Sequence, residues 1–163
     1  MNTYGTAAIV DNVEILVHDA GSGRLVGRQS THNLITNTGL NIIRDVLAEP
    51  DSATRSTFLN VYMAWGAGTT AAAAGDTALE TAASDGKKAI TEANTDTNYQ
   101  ILYKYYMSST TGNTDPTVAE VGLFFGNTTG SNTMFARAVL GSSITKDTSK
   151  TITFNWTITI SAS

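Results

Sequence analysis

The fold is decided by residues 151–160, which read Thr-Ile-Thr-Phe-Asn-Trp-Thr-Ile-Thr-Ile. Large apolar side chains occupy every second position, and four threonines and one asparagine fill the positions between them. Successive side chains of a β-strand point to opposite faces, so this alternation predicts a strand with one buried and one polar face. Threonine suits the polar face, because its branched Cβ favours extended backbone while its hydroxyl stays hydrophilic.

A strand of this kind is not stable alone. Burying its five large apolar side chains contributes roughly 7–15 kcal/mol, whereas ordering its ten residues costs about 10–20 kcal/mol of backbone entropy. The strand therefore needs neighbours along its edges and a second layer over its apolar face. An uncharged, threonine-coated strand left at a sheet edge could instead pair with another copy of the chain.

Further segments of the chain predict strands and turns of the same kind. Residues 13–19 and 24–28 flank the turn residues 20–23, which predicts a β-hairpin with a four-residue loop. Residues 71–84 are rich in alanine but interrupted by Gly75-Asp76, so we interpret them as an ordered loop with at most one helical turn near 78–82. Other strands are predicted at residues 58–65, 88–92, 99–107, 117–125 and 133–140, with loops at 108–116, 126–132 and 141–150.

One short helix is predicted near residues 39–48. Leu40, Ile43 and Leu47 lie at helical spacing and would share one face. Asn37 or Thr38 would cap the first turn, and Pro50 cannot continue the helix. With about eight strands, no linker and no repeat, the pattern predicts an all-β fold: a single antiparallel β-sandwich domain over residues 1–163, jelly-roll-like in topology.

Composition excludes several classes of partner. The 163 residues carry 10 Lys and Arg against 14 Asp and Glu, a net charge of −4, and no cysteine. Nucleic-acid binding needs clustered basic residues, which are lacking, and disulfides and thiolate metal sites are impossible. No signal-peptide pattern and no apolar run of membrane-spanning length occurs, so we expect synthesis in a cytoplasm and no membrane partner.

Glycine-flanked motifs offer no catalytic or cofactor site. Gly66-Ala67-Gly68 resembles part of a phosphate-binding loop but lacks the lysine or third glycine that such loops need. Gly21-Ser22-Gly23 is not a nucleophile elbow and belongs to the hairpin turn. We interpret both as structural turns and predict no cofactor and no catalytic residue.

Metal binding is also not expected. His18 and His32 lie in the two arms of the predicted hairpin, but Asp19 is the one obvious acid nearby, too few ligands for a metal. Four loop aspartates could offer oxygens to Ca²⁺ but lack the spacing of a calcium loop, so we interpret them as turn caps. They are Asp76, Asp85, Asp96 and Asp115.

Glu120 is the one carboxylate embedded in an apolar predicted strand. A buried, unpaired carboxylate is costly, so we expect Glu120 to lie at an edge or interface, paired with Arg137 or Lys104. Paired carboxylates for glycoside hydrolysis remain an open alternative at the level of sequence.

A cluster of tyrosines offers a candidate surface for sugars. Alternation places Tyr106 on the face opposite to the other three tyrosines. Core and interface packing is the competing interpretation. The cluster comprises Tyr99, Tyr103, Tyr105 and Tyr106.

Six short stretches, taken in order, resemble a family of tailed-bacteriophage virion structural proteins of the decoration or tail-fibre type. The resemblance covers about residues 32–160, and residues 1–31 match less clearly. The stretches are 32–39 (His-Asn-Leu-Ile-Thr-Asn-Thr-Gly), 65–70 (Trp-Gly-Ala-Gly-Thr-Thr), 75–80 (Gly-Asp-Thr-Ala-Leu-Glu), 119–124 (Ala-Glu-Val-Gly-Leu-Phe), 136–138 (Ala-Arg-Ala) and 151–160.

The resemblance implies a non-enzymatic, β-rich module on the particle surface, commonly trimeric. It transfers no catalytic residue, and Asp76, Glu120 and Gly122 carry over as structural positions. We expect a capsid decoration or cement protein that contacts itself and the major capsid protein, with the hairpin of residues 1–31 as a candidate anchor. The alternatives are a tail-fibre, neck or baseplate component and, in another class, a carbohydrate- or receptor-binding module.

Overall fold

A computed structural model describes residues 7–48, 60–95, 99–126 and 133–162. These residues form ten strands and one helix. They are β1 (Ala7–Asp19), β2 (Leu25–His32), β3 (Leu34–Ile35), α1 (Asn37–Ala48), β4 (Val61–Gly66), β5 (Lys88–Ala89), β6 (Glu92–Asn94), β7 (Gln100–Met107), β8 (Thr117–Phe125), β9 (Met134–Thr145) and β10 (Lys150–Ala162).

The strands form two antiparallel sheets of five, which confirms the predicted all-β sandwich. One sheet, here sheet A, has the order β2-β1-β10-β7-β6, and the other, sheet B, has the order β3-β9-β8-β4-β5. The deciding strand β10 lies in the middle of sheet A, where it pairs with β1 from Asp19↔Lys150 to Ala7↔Ala162 and with β7 on its other side. It therefore has neighbours along both edges, as its energetics require.

The core lies between the two sheets. Ile152, Phe154 and Trp156 of β10 are fully buried, and the neighbouring apolar residues of β1, β4, β7, β8 and β9 join the same cluster. Tyr105 stacks between Trp65 of sheet B and Phe154 of sheet A, with ring centroids 6.0 and 6.1 Å away. The alternation of residues 151–160 thus gives the sandwich its interior, although Ile160 at the end of the run is about half exposed.

The predicted hairpin is confirmed, and two other segments differ from expectation. β9 continues to Thr145 rather than ending at residue 140. The single strand expected at residues 88–92 is two short strands, because the chain crosses there from sheet B to sheet A: β5 pairs with β4, and β6 pairs with β7. Residues 71–84 form a loop with no helical turn. Pro50, residues 58–59 of the strand predicted at 58–65, and residues 127–132 of the loop predicted at 126–132 lie outside the described residues.

The helix is confirmed, and Ile43 of its predicted face packs against the core, but the cap and the burial of Leu40 and Leu47 were predicted wrongly. Thr36, not Asn37 or Thr38, is the cap: its Oγ1 accepts the Gly39 N–H at 3.0 Å and donates to the Met134 carbonyl at 2.6 Å. The helix starts at residue 37, so the capping position falls one residue earlier than expected. Gly39 lies directly against the Phe135 carbonyl, which turns Ile42 inward and leaves Leu40 and Leu47 largely exposed.

Candidate functional site

The most highly charged buried site is an ion pair between neighbouring strands of sheet B. Glu120 of β8 and Arg137 of β9 have exposed side-chain fractions of 0% and 3%. The Arg137 Nε donates to Glu120 Oε2 at 2.8 Å. The expected Glu120–Arg137 pair is confirmed, whereas Lys104 instead binds Glu92 at 2.6 Å on sheet A. The expected position at a sheet edge is wrong, because Glu120 lies on the middle strand of sheet B, where its partners make burial tolerable.

Backbone donors complete the surroundings of Glu120. Its Oε1 accepts the N–H groups of Thr81 at 2.7 Å and Gly68 at 3.2 Å, and its Oε2 accepts that of Glu80 at 3.0 Å. Counting Arg137, four donors therefore satisfy this carboxylate. Such full pairing is what makes a buried charge tolerable.

Arg137 extends the cluster to two further carboxylates. Its Nη1 donates to Asp76 Oδ2 at 2.8 Å and its Nη2 lies 3.5 Å from Glu80 Oε2. Burial acts to raise the pKa of Asp76, but hydrogen bonds from the Ala73 N–H and the guanidinium hold that pKa below its usual value. Burial likewise acts against the charge of Arg137, yet the bonds to Asp76 and Glu120 raise the Arg137 pKa.

The cluster fastens residues 67–82, here called the pinned loop, over the outer face of sheet B. The loop is closed at its base by the bond from Ala67 N to Thr81 O at 2.9 Å, and Ala74 O accepts the N–H of Asn37 at the start of α1 at 2.8 Å. Because the pinned loop covers β8 from outside, β8 is buried on both faces.

Gly66 and Gly68, which resemble part of a phosphate loop, are needed because other groups pack directly against their backbone. A Cβ on Gly66 would collide with the Thr81 carbonyl, and a Cβ on Gly68 would lie 2.6 Å from Glu120 Oε1. These glycines admit the pinned loop and the carboxylate. This agrees with the interpretation of Gly66-Ala67-Gly68 as a structural turn.

The histidines lie far apart on the hairpin. His18 pairs with Leu25, while His32 pairs with Asn12, six positions away along β1. Within residues 7–48, 60–95, 99–126 and 133–162, no group of three or more His, Asp or Glu side chains is placed to hold a metal ion.

Of the four loop aspartates, Asp76 caps a local turn, as predicted, whereas Asp85 and Asp115 accept N–H groups 27 and 31 positions away and so tie separate loops together. Asp76 accepts the Ala73 N–H at 2.9 Å, Asp85 accepts that of Gly112 at 3.0 Å, and Asp115 accepts that of Ser84 at 2.7 Å. Asp96 lies outside the described residues. Asp76 combines this capping role with the ion pair to Arg137.

The tyrosines do not share one surface. Tyr105 is a core residue, and Tyr103 packs edge-on against Phe125 with centroids 6.1 Å apart. Tyr106 is half exposed on the opposite face of β7, as the alternation predicts. Tyr99 was expected in the strand but precedes it with φ +63°, and its side chain is 78% exposed.

A second buried acid, Asp11, was missed by the sequence reasoning. It lies on the inward face of β1, in line with Val13 and Ile15, and its Oδ1 accepts the indole N–H of Trp156. Burial raises the pKa of Asp11 to about 7, against the opposing effects of Asn33, Trp156 and the Asn12 backbone. An acid at an inward position of an alternating strand was the available signal, but the strand was expected to begin only at residue 13.

Asp11 lies in a cleft at one end of the sandwich, here called the end cleft. The cleft has a volume of about 490 Å³ and opens between β1, β3 and α1. A smaller groove of about 240 Å³, lined by apolar residues of α1, β7 and β10, shares Ile9 with it. The end cleft is lined by Ile9, Val10, Asp11, His32, Asn33, Leu34, Ile35 and Leu40.

Comparisons of this chain with protein-family models, with curated proteins and with solved structures found no match. In the part of the chain that the structure describes, no helix is long and apolar enough to cross a membrane.

Proposed function

We propose that this chain is a non-enzymatic structural protein of a bacteriophage particle, and specifically a capsid decoration or cement protein that acts as a homotrimer. The phage assignment rests on the resemblance of six sequence stretches to that family. The physical side of the proposal rests on how those stretches are arranged.

The observation that carries the proposal is the convergence of five of these stretches on the pinned loop. Residues 65–70, 75–80, 119–124 and 136–138 supply Gly68, Asp76, Glu80, Glu120 and Arg137, which bind one another. The stretch 32–39 adds the bond from Asn37 to Ala74. The residues that carry the resemblance therefore form one connected cluster, in which Glu120 and Arg137 hold the pinned loop against sheet B.

A stiff surface suits a protein that works by adhesion. Ordering flexible loops on binding costs conformational entropy, so a loop that is already fixed retains more of the contact energy. A cement protein would use this rigidity to add buried area across capsomer junctions and to resist the internal pressure of the particle.

Imaging of phage particles with and without this protein tests the proposal. We expect density for it at capsomer junctions, lower heat and osmotic resistance in particles that lack it, and recovery when the purified protein is added back. Adding back Arg137→Met, which unpins the loop, should restore less resistance than Arg28→Met, which removes an exposed ion pair with Glu14. Density on the tail would favour the fibre, neck or baseplate alternative, and unchanged capsids would refute the cement role.

A further inference from the structure

The end cleft contains an unusual concentration of unpartnered polar atoms. Five buried side-chain polar atoms lack a hydrogen bond in the described residues, and three of them are Asp11 Oδ2, Asn33 Oδ1 and Asn33 Nδ2. Asn33 lies close enough to lower the pKa of Asp11, but its amide forms no well-aligned hydrogen bond. Buried polar groups are rarely left unpaired, so a group that binds these atoms would relieve a real cost.

The charge of the cleft indicates what kind of group fits. Asp11 is 5% exposed, and no Lys or Arg lines the cleft; His32 is the one other titratable side chain among its lining residues. Two of the unpartnered atoms, Asp11 Oδ2 and Asn33 Oδ1, are acceptors. A positively charged N–H donor would supply both hydrogen bonds and compensate the desolvated carboxylate.

The walls of the cleft add a requirement for an apolar body. Ile9 and Ile35 line the sides, and Leu34 and Leu40 are 39% and 52% exposed around the opening. Exposed side chains of this kind change rotamer readily, so they can move aside for an entering group and then cover it. An apolar wall over a few convergent polar atoms is the usual composition of a ligand site.

We propose that the end cleft binds a primary alkylammonium group, supplied either by a lysine side chain of a partner protein or by a free amine. The ammonium donates to Asp11 Oδ2 and Asn33 Oδ1, and its alkyl stem packs against Ile9, Leu34 and Leu40. This inference is independent of the proposed role in a virion.

Titration of the full chain with n-butylammonium, followed by NMR of the Trp156 indole N–H, tests the site. That N–H donates to Asp11 Oδ1 and so reports directly on the carboxyl group. At pH 8 we expect a saturable shift with n-butylammonium and none with n-butanol or tetramethylammonium, which lack charge or N–H donors respectively. The affinity should fall at least about tenfold in Asp11→Asn, because a charge-assisted bond is lost.

Asp45→Asn is the matched control for general charge attraction. Asp45 lies on the same helix as Leu40 but is exposed and paired with Arg44 at 2.7 Å. This variant should bind n-butylammonium like the unaltered chain. A second test variant, Asn33→Leu, removes amide atoms that form no well-aligned hydrogen bond in the described residues, so it should fold while losing affinity.

Several results would overturn the proposal. They are the absence of a saturable shift, an equal response in Asp11→Asn, or equal binding of propionamide, which would identify a site for neutral amides. If binding is found, comparison of Nα-acetyl-lysine amide with n-butylammonium identifies the source: tighter binding of the lysine derivative favours a protein side chain, and the reverse favours a free amine.

Discussion

The two buried acids Glu120 and Asp11 differ in how their carboxyl groups are compensated for the loss of water. Glu120, in sheet B, is surrounded by four donors that include the Arg137 guanidinium. Asp11, in sheet A, has one oxygen bonded to Trp156, and the other forms no well-aligned hydrogen bond with any residue that the structure describes. Both carboxyl groups are almost completely removed from water, so their different surroundings decide what each contributes.

The difference separates a stabilising acid from a costly one. Glu120 bonds to Arg137 on the neighbouring strand and to backbone N–H groups of the pinned loop, so its charge is compensated within the fold. No Lys or Arg side chain lies beside Asp11 in the described part of the chain, and burial raises its pKa to about 7. A buried acid with one oxygen free of hydrogen bonds is a candidate for binding something else, whereas the four donors around Glu120 leave that acid fully bonded.

Breaking the Glu120–Arg137 ion pair should cause the largest loss in the free energy of unfolding. In Arg137→Met the carboxylate of Glu120 stays buried without its cation, and removal of one partner of a buried pair costs about 3–5 kcal/mol. Denaturant unfolding at pH 7 measures the loss. The control is Arg28→Met, whose side chain is 67% exposed and pairs with Glu14; exposed pairs contribute at most about 1 kcal/mol. Equal losses in the two variants would show that burial of the Glu120 pair is unimportant.

Replacing the costly acid should stabilise the protein, with a defined pH dependence. Because the folded-state pKa of Asp11 is raised from 3.8 to about 7, the folded chain binds more protons than the unfolded chain between these values. Stability associated with Asp11 is therefore present below pH 3.8 and is lost as pH rises through about 7. Asp11→Asn keeps an acceptor for Trp156 and should stabilise the chain by about 2–3 kcal/mol at pH 8.

The same variant supplies its own control at low pH. Near pH 4 the carboxyl of Asp11 is protonated in the folded protein, so the difference in unfolding free energy between Asp11→Asn and the unaltered chain should shrink towards zero. Urea unfolding at pH 4, 6 and 8 follows this trend. A stability difference that does not change with pH would show that Asp11 has an ordinary pKa.

These two acids also show which features of the site could be predicted from the sequence alone. A basic partner for Glu120 was predictable because Glu120 lies inside an apolar strand and a buried charge needs a partner, but the sequence left both Arg137 and Lys104 open. β10 and the hairpin were predictable because their signals are local. Asp11 was missed because β1 was expected to begin only at residue 13, and its cleft was missed because it forms only where α1 and β3 meet the start of β1.

Tertiary packing also decided the features that were predicted wrongly. Leu40 and Leu47 have helical spacing, yet the close contact of Gly39 with Phe135 turns a different face of α1 towards sheet B. The split of residues 88–92 between two sheets depends on which strand edges are available nearby. The local pattern of apolar residues predicts neither the orientation of α1 nor the split of residues 88–92.

Adding a methyl group next to Glu120 should lower the free energy of unfolding by less than removal of Arg137 does. In Gly68→Ala the new Cβ would lie 2.6 Å from both Glu120 Oε1 and Glu80 Cβ. Overpacking of this kind should cost about 1–2 kcal/mol. Gly75→Ala is the matched control in the same loop, because nothing lies within 4 Å of its Cβ position. Comparable thermal unfolding of the two variants would mean that the pinned loop yields easily.

The smallest change in stability is expected at Glu80, the exposed carboxylate that lies beside Arg137. Hydrogen bonds from the Thr70 side chain, at 2.6 Å, and from its backbone N–H, at 2.8 Å, hold the pKa of Glu80 below its usual value. Thr70→Val removes the first of these bonds, so the pKa of Glu80 should rise towards its ordinary value, as followed by carboxyl ¹³C NMR. The depressed pKa stabilises the fold at neutral pH and ceases to do so as pH falls through it. Since Glu80 is largely solvated, the melting temperature at pH 7 should hardly change; a large drop would mean that the rim, and not the buried Glu120–Arg137 pair, holds the pinned loop in place.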